Sequence, residues 1–373
     1  MTDLGQLPVQ QDDQEPAATG PLGSEIKAHS LWQIRWALFR RSFRDNWKLF
    51  RRNRIGIAGL VIIGIFAVMA IAPTIFFATG FWSTSTYHPV VGREANPPVV
   101  TKTVVQTVED PATEVDIRQI LLDPRTNAQI GEEVELVLQP APPDSRHWLG
   151  TDPLGRDIMS QLMFGAKAAF GLGILAATVT VVIGTVVGSV SAFYGGKIDS
   201  LFMRFADLLI MVPGLAILIV LSSVLDFRLW HLALVIGILG GFGGTAIVLK
   251  SQALSVKVKP FVDAARVAGG SNTRLIVSHI IPNVMPLCFL YMMFTVTTAI
   301  QSEATLSFIG LLNVPMSWGL MIQLANNEGY LLQAGTYWWM VLPAGLAVTF
   351  IAMAFFLVGR AMDEVVNPRL RGR

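Results

Sequence analysis

Long apolar segments alternate with shorter polar ones along most of the chain. A membrane-crossing helix needs roughly 20 mostly apolar residues, and six segments reach that length: 55–77, 168–193, 205–225, 229–249, 284–304 and 338–358. This pattern predicts an all-α membrane protein with six transmembrane helices. The second segment contains Gly184 and Gly188, and the fourth contains Gly240 and Gly244. Glycines at this spacing let helix backbones approach closely in lipid.

The composition agrees with a membrane location. Of the 373 residues, 52% are hydrophobic and 14% are charged, whereas soluble proteins carry about 25% charged residues. The formal net charge of +2 gives no indication of a nucleic-acid partner. Cys288 is the only cysteine and the five histidines are scattered, so the sequence predicts neither an internal disulfide nor a metal site.

The positions of Lys and Arg set the predicted orientation, because these residues collect on the cytoplasmic side. Residues 35–54 are rich in them, and the tail 359–373 carries four arginines. Both termini are therefore predicted to be cytoplasmic. Within the transmembrane core 168–358, the loop 250–282 falls on the same side and contains Lys250, Lys257, Lys259, Arg266 and Arg274.

Three other segments precede or interrupt the spans. Residues 1–28 are polar and predict a disordered cytoplasmic tail. Residues 29–54 place aromatic residues at steps of three and four among arginines, which predicts an amphipathic interfacial helix. Residues 78–167 are predicted to form an extracytoplasmic insertion and a pre-span segment. The insertion, 88–143, is predicted to be small and β-rich, with alternating polar and apolar positions in 99–108 and 132–138. The acidic residues there lack the spacing of a calcium-binding loop.

The inner loop 250–282 has a helical pattern of its own. Pro260 suits the first turn of a helix, and Gly269 with Gly270 suits its end, so a helix of about nine residues is predicted. Ser271 can cap a second short helix that runs until Pro282. A helix this short is not stable alone, so we expect a partner to hold it.

The segment DAARVAGGSNTRLIVSHIIP, residues 263–282, resembles the EAA loop of the permeases of ATP-binding cassette (ABC) importers. In that family the loop forms a coupling helix that sits in a groove of a cytoplasmic ATPase. The resemblance implies five ATPase-coupling residues: Asp263, Ala264, Ala265, Arg266 and Gly269. Asp263, His279 and Ile281 stand where Glu, Ile and Leu are usual. Asp263 keeps the charge of Glu on a shorter side chain.

Further stretches resemble the C-type permeases of the peptide/nickel (oligopeptide/dipeptide) importer group. They are HWLGTDPLGRDIMSQLMFGAK (147–167), GGKIDSLFMRFADLL (195–209), SEATLSFIGL (302–311), SWG (317–319) and NPRLRGR (367–373). The likeness covers about residues 51–373 except most of the insertion. Gln161 and Lys167 stand where arginines are usual.

The resemblance also implies an assembly in the plasma membrane of a prokaryote. Its expected members are a second, B-type permease, two cytoplasmic ATPase subunits and an extracytoplasmic substrate-binding protein, all among membrane lipids. ATP and Mg would be held by the ATPase subunits. This chain has no Gly-x-x-x-x-Gly-Lys-Ser/Thr loop to cradle phosphates, so it is predicted to be a non-catalytic permease subunit that binds no cofactor.

Four further residues are candidates for a gate or for bracing helix ends: Asp207, Glu303, Arg156 and Asp157. Asp207 lies near the inner end of the third span and Glu303 at the outer end of the fifth. Ionisable residues within spans can also mark ion pathways, so an ion-coupled secondary transporter or channel subunit is the alternative function. Asp152 and Asp157 lie beside Asp-Pro and Leu-Gly steps, which indicates turn chemistry rather than an enzyme's paired carboxylates. Dipeptides, longer peptides, nickel complexes and glycans are all open as cargo.

Overall fold

The computed structural model describes residues 44, 47–93, 99–108, 114–117, 129–137 and 140–366. The predicted tail 1–28 and most of the predicted interfacial helix 29–54 lie outside the described residues, as does the C-terminal stretch 367–373. The chain divides into two units, 1–48 and 49–373. Every element named below belongs to the second unit.

Helices account for most of the described residues. In chain order they are α1 (Arg54–Ala78), α2 (Thr84–Tyr87), α3 (Ile158–Tyr194), α4 (Gly196–Met211), α5 (Gly214–Val224), α6 (Leu229–Phe242), α7 (Gly244–Lys257), α8 (Pro260–Val267), α9 (Asn272–Leu275), α10 (Ile281–Phe308), α11 (Trp318–Asn327) and α12 (Trp338–Val366). A π-helical turn, Ile276–Ile280, joins α9 to α10. The chain is thus a mostly helical protein.

Among the described residues, four stretches are individually long and apolar enough to cross a membrane: Arg54–Ala78, Ile158–Tyr194, Asn272–Phe308 and Trp338–Glu364. Two helix pairs pass the same test together. They are α4 with α5, bent by 78°, and α6 with α7, bent by 42°. The described part of the chain therefore has four to six candidate spans.

The bent pairs differ from the prediction, which treated 205–225 and 229–249 as single helices. The first breaks at Val212, whose backbone is extended (ψ 126°) because it precedes Pro213, and proline disfavours the helical conformation in the residue before it. The second breaks at Gly243. A Cβ atom there would lie 2.7 Å from the carbonyl oxygen of Leu239, so glycine fits this 42° bend without displacing backbone atoms.

Three strands lie between α2 and α3: β1 (Val99–Val105), β2 (Glu114–Asp116) and β3 (Glu133–Val137). The sheet order is β2-β1-β3, with β1 parallel to β2 and antiparallel to β3. Val104, Val115 and Val134 are buried together on one side of the sheet. β1 and β3 lie within or close to the alternating segments seen in the sequence. The three-residue β2 is too short to show such alternation.

Helix α3 packs against α1, α6, α7 and α10 and is the centre of the bundle. Its contact with α7 is close, because a Cβ atom at Gly188 would lie 2.8 Å from both the carbonyl oxygen of Ala246 and the amide nitrogen of Lys250. A Cβ atom at Gly184 would lie 2.9 Å from Cγ2 of Thr245. The predicted packing role therefore holds for this glycine pair.

The second predicted glycine pair behaves differently. A Cβ atom at Gly240 would lie 3.2 Å from the hydroxyl oxygen of Thr180, so this glycine does face α3. Gly244 has no described atom within 4 Å of such a Cβ position. The packing prediction is wrong for Gly244 because the break at Gly243 separates it from the face that Gly240 occupies.

The Gly188 contact yields a stability prediction. We expect Gly188→Ala to lower the free energy of unfolding by about 1–3 kcal/mol, because the added methyl group must displace backbone atoms of α7. Gly64→Ala is the matched control, since Gly64 has no described atom within 4 Å of the new methyl. Thermal unfolding of both variants in detergent tests this, and equal melting temperatures would contradict it.

Candidate functional site

The loop between α7 and α10 contains a short helix with well-defined ends. Helix α8 begins at Pro260, where the missing amide costs nothing in the first turn. After it, Gly269 has φ +83°. The Gly269 amide donates to the carbonyl oxygen of Arg266 and the Gly270 amide to that of Ala265, both at 3.0 Å. This pair of bonds is a Schellman motif, which favours glycine at the residue with positive φ.

The chain leaves this turn through a second capped helix. The Ser271 hydroxyl accepts a hydrogen bond from the Arg274 amide at 3.4 Å and caps α9, as predicted. The prediction that this second helix ends at Pro282 is wrong. The chain passes through the π-helical turn, in which the Ile281 amide donates to the carbonyl oxygen of Ile276. We attribute the wider turn to Pro282, which has no amide and whose ring crowds the preceding helical turn.

Helix α8 buries one face and exposes the other. Val262 is fully buried, and Ala265 is half-buried against a cluster that contains Leu275 and Val256. The remaining surface is exposed and carries a strip of apolar residues beside the charged Asp263 and Arg266, with Val267 at 89% exposure. Its other members are Phe261, Ala264 and Ala268. The fixed ends of α8 and the buried Val262 thus keep this apolar strip exposed.

The five predicted coupling residues lie in this one helix and its exit turn. Asp263 and Arg266 form an exposed ion pair of 3.0 Å, and such surface pairs contribute little to stability. Ala264 and Gly269 are also exposed. Ala265 is the exception, because it turns toward the bundle.

A buried polar site lies directly before α3. Asp157 caps this helix, because one of its carboxylate oxygens accepts from the Ser160 amide at 2.6 Å. The other oxygen lies 2.8 Å from Nδ1 of His147. Both side chains are buried, at 3% residue exposure each. The candidate gate residue Asp157 therefore fixes where α3, the longest of the described helices, starts.

Asp152 organises the turn beside it. One carboxylate oxygen accepts from the amides of Leu154 and Arg156, both at 2.9 Å. The other accepts from Nε of Arg156 at 2.6 Å and from the side-chain amide of Gln161 at 3.0 Å. Gln161 thus supplies a neutral donor where the resembled family has a cation. Asp152 is 1% exposed, and this buried network was not predicted in detail.

Lys167, the other departure from the family pattern, is exposed on α3. It lines a mostly apolar cavity of about 420 Å³ together with Phe164, Leu175, Trp230 and Met316.

The two candidate carboxylates in the predicted spans lie in different surroundings. Glu303 is 2% exposed and accepts from the Ser307 hydroxyl at 2.6 Å, and the Ser317 side chain lies near it. Ser317 in turn caps α11 through the Leu320 amide at 3.2 Å. Glu303 thereby lies where the end of α10 approaches the start of α11. Asp207, in contrast, is exposed on α4.

Sequence reasoning did not single out Trp318 or Ser317 beyond quoting them within a familiar stretch. The Trp318 indole donates to the carbonyl oxygen of Leu162 at 2.9 Å, and a Cβ atom at Gly165 would lie 2.5 Å from the same ring. A serine directly before an apolar helical stretch is a capping signal. The partner of the indole depends on the fold and has no local signal.

The Asp152 network yields a second stability prediction. We expect Asp152→Ala to lower the free energy of unfolding by about 3–5 kcal/mol, because it leaves the partly buried Arg156 cation and the buried side-chain amide of Gln161 without an acceptor. Asp263→Ala, which removes an exposed carboxylate from an exposed pair, should cost less than about 1 kcal/mol. Denaturation in detergent compares the two variants, and a similar loss in both would contradict the assignment.

Comparisons with known proteins agree with this geometry. The family described as binding-protein-dependent transport system inner membrane component matches residues 181–372, and the family described as N-terminal TM domain of oligopeptide transport permease C matches residues 41–89. The oligopeptide transport system permease protein of Bacillus subtilis is 38% identical over 235 residues, which cover 62% of this chain and 74% of that protein.

Two other relatives extend the comparison. The dipeptide transport system permease protein of the same organism is 27% identical over 98% of this chain and 99% of its own length. The probable D,D-dipeptide transport system permease protein of Escherichia coli is 30% identical over 64% of this chain and 79% of its own length. With the family match spanning α8 and the helices around it, the chain belongs to the inner membrane components of binding-protein-dependent transport systems.

Proposed function

We propose that this chain is one of two permease subunits in an ATP-driven importer of peptides, and that α8 couples it to the ATPase subunits. The observation that carries the proposal is the exposed apolar strip on α8, held by a Schellman turn and by the buried Val262. Exposed apolar patches of this kind are typical of interaction sites. Peptides are proposed as cargo because the relatives are named as oligopeptide and dipeptide transport permeases.

The proposed assembly adds a B-type permease, two ATPase subunits with ATP and Mg, and an extracytoplasmic binding protein. If α4 with α5 and α6 with α7 each form one bent span, the total is six and both termini lie on the same side. The lysines and arginines around α8 favour the cytoplasm for that side. In this orientation the predicted helix 29–54 lies along the inner membrane surface and the β-sheet lies outside.

The proposed mechanism is a shift between two states. ATP binding draws the ATPase subunits together, α8 moves with them, and α7 and α10 carry that movement into the membrane so that the path opens outward. Hydrolysis restores the inward-facing state. The chain contributes no catalytic group to this cycle.

Ion-coupled secondary transport has less support. The buried carboxylate of Glu303 accepts a hydrogen bond from Ser307 at the junction of two helices, which suits bracing. Asp207 lies exposed on α4 and takes no part in that junction.

The coupling proposal predicts two uncoupled variants. Gly269→Val forces a β-branched residue to φ +83°, where it is strained, and Asp263→Lys reverses the charge beside the apolar strip. The importer is purified by a tag on this chain and reconstituted in lipid. We expect both variants to abolish peptide-stimulated ATP hydrolysis, while the variant chains still insert into the membrane.

Gly64→Val is the matched control, because no described atom lies within 4 Å of its added Cβ. Co-purification with each variant also reports whether the ATPase subunits remain bound. Full stimulation in both loop variants would remove the coupling assignment. A chain that purifies alone and moves solute under an ion gradient would instead establish the secondary transporter.

We further propose that the insertion 88–143 helps dock the binding protein. Val99 and Val137 are partners in the β1–β3 ladder, so their Cα atoms are only about 5 Å apart. A two-residue Gly-Ser link can therefore replace everything between them. We expect this deletion to weaken binding-protein affinity, measured by titration against the reconstituted importer.

Glu132→Gln with Glu133→Gln is the companion variant, because it removes two exposed charges and leaves the strands in place. If only the deletion weakens the affinity, docking depends on the shape of the insertion. If both variants weaken it, docking depends on the two charges. Unchanged affinity in the deletion would show that the insertion has no docking role.

A further inference from the structure

Helix α3 ends at Tyr194 beside a lysine from another helix. The last carbonyl groups of any α-helix have no amide partner within the helix. Here the carbonyl oxygens of Ala192 and Phe193 accept hydrogen bonds from Nζ of Lys257, at 3.0 and 2.8 Å. Ala192 and Phe193 are 1% and 9% exposed, so water has little access to these carbonyls and the lysine takes its place.

The chemistry of this contact suits a cation. The C-terminal end of a helix carries a partial negative charge, and a positive side chain is stabilised there. Nζ of Lys257 also lies 5.8 Å from the ring centroid of Phe193, within the range of a cation–π contact. Removing the ammonium group would leave two buried acceptors without a donor, which is costly.

A second lysine on the same helix makes a similar contact seven residues earlier. Nζ of Lys250 lies 2.5 Å from a carboxylate oxygen of Asp199, which is in the first turn of α4. Seven residues are about two helical turns, so both lysines lie on one side of α7. We call Lys250 and Lys257 the lysine clamp. The clamp holds the end of α3 and the beginning of α4.

The clamp lies directly before the coupling helix. Only Val258 and Lys259 separate α7 from α8, and the Lys259 amide donates to the carbonyl oxygen of Val256 at 3.1 Å. Resting on the proposed function, we propose that Lys257 and Lys250 are positioning residues that transmit movement of α8 to α3 and α4. The movement then reaches helices that are not adjacent to α8 along the chain.

The other end of α3 shows what such a transfer would reach. The helix has 37 residues, a length of about 55 Å at 1.5 Å per residue. Its first turns carry the Asp157 cap and the Leu162 carbonyl that binds the Trp318 indole. A displacement at the clamp is therefore delivered to the buried polar site and to α11.

The test replaces the ammonium group and keeps the length of the side chain. In the reconstituted full importer, Lys257→Met should lower the ratio of peptide-stimulated to basal ATP hydrolysis about tenfold, the factor that corresponds to losing a hydrogen bond to a charged donor. Lys257→Arg keeps a cation and donors and should restore most of the ratio. Lys197→Met, at an exposed position of α4, is the control for loss of one positive charge.

A distance measurement separates transmission from simple destabilisation. Spin labels on Tyr194→Cys and Thr273→Cys report the separation of the α3 end from the loop, and the native Cys288 is buried. The separation should stay the same between the ADP-bound and ATP-trapped importer with Lys257, and should shift or broaden with Lys257→Met. An unchanged ATPase ratio and an unchanged separation in Lys257→Met would overturn the proposal.

If the importer with Lys257→Met does not assemble, variants of the Lys250–Asp199 pair test the proposal instead. Lys250→Met should uncouple, and the exchange Lys250→Asp with Asp199→Lys should recover coupling. Wild-type stimulation in Lys250→Met would then overturn the proposal. These outcomes differ from failure of the proposed function, in which the wild-type importer itself shows no peptide-stimulated hydrolysis.

Discussion

The close contact between α3 and α7 is the constraint on which most of this structure depends. Gly188 brings the backbone of α3 against the backbone of α7 at Ala246 and Lys250. In lipid, helices gain little from hiding apolar side chains, so close backbone packing supplies much of their attraction. Because α7 leads directly into α8, the position of α8 follows from where α7 meets α3. Near the end of α7 that leads into α8, Lys257 of the lysine clamp secures the same pair of helices.

The sequence contained most of the information for the helices and strands, and less for the breaks and connections between them. Apolar length identified all the segments that form candidate spans, and Pro260 with Gly269 located α8 to within a residue or two. The breaks at Val212 and Gly243 were missed because a hydrophobic count is insensitive to one proline or one crowded glycine within an apolar run. The continuation through Pro282 was missed because a π-helical turn has no sequence signature comparable to a cap.

The candidate sites show the same division. The proposed coupling residues could be named because residues 263–282 resemble a known permease loop, and that pattern is local. Asp152 could be recognised as a turn residue, but not as the acceptor for Gln161, since that contact depends on how the turn folds against α3. The Lys257 contact joins residues 65 positions apart. Pairings at such separation are decided by packing and cannot be found from spacing.

The exposed face of α8 also has a consequence for biosynthesis. Val267 and Phe261 stay uncovered in a chain that has not met its partners, and such a patch invites aggregation and capture by chaperones. An unassembled copy therefore differs from an assembled one in a way that the quality-control machinery of the cell can recognise. The surface that we propose for coupling would therefore be the feature that distinguishes an orphan subunit from an assembled one.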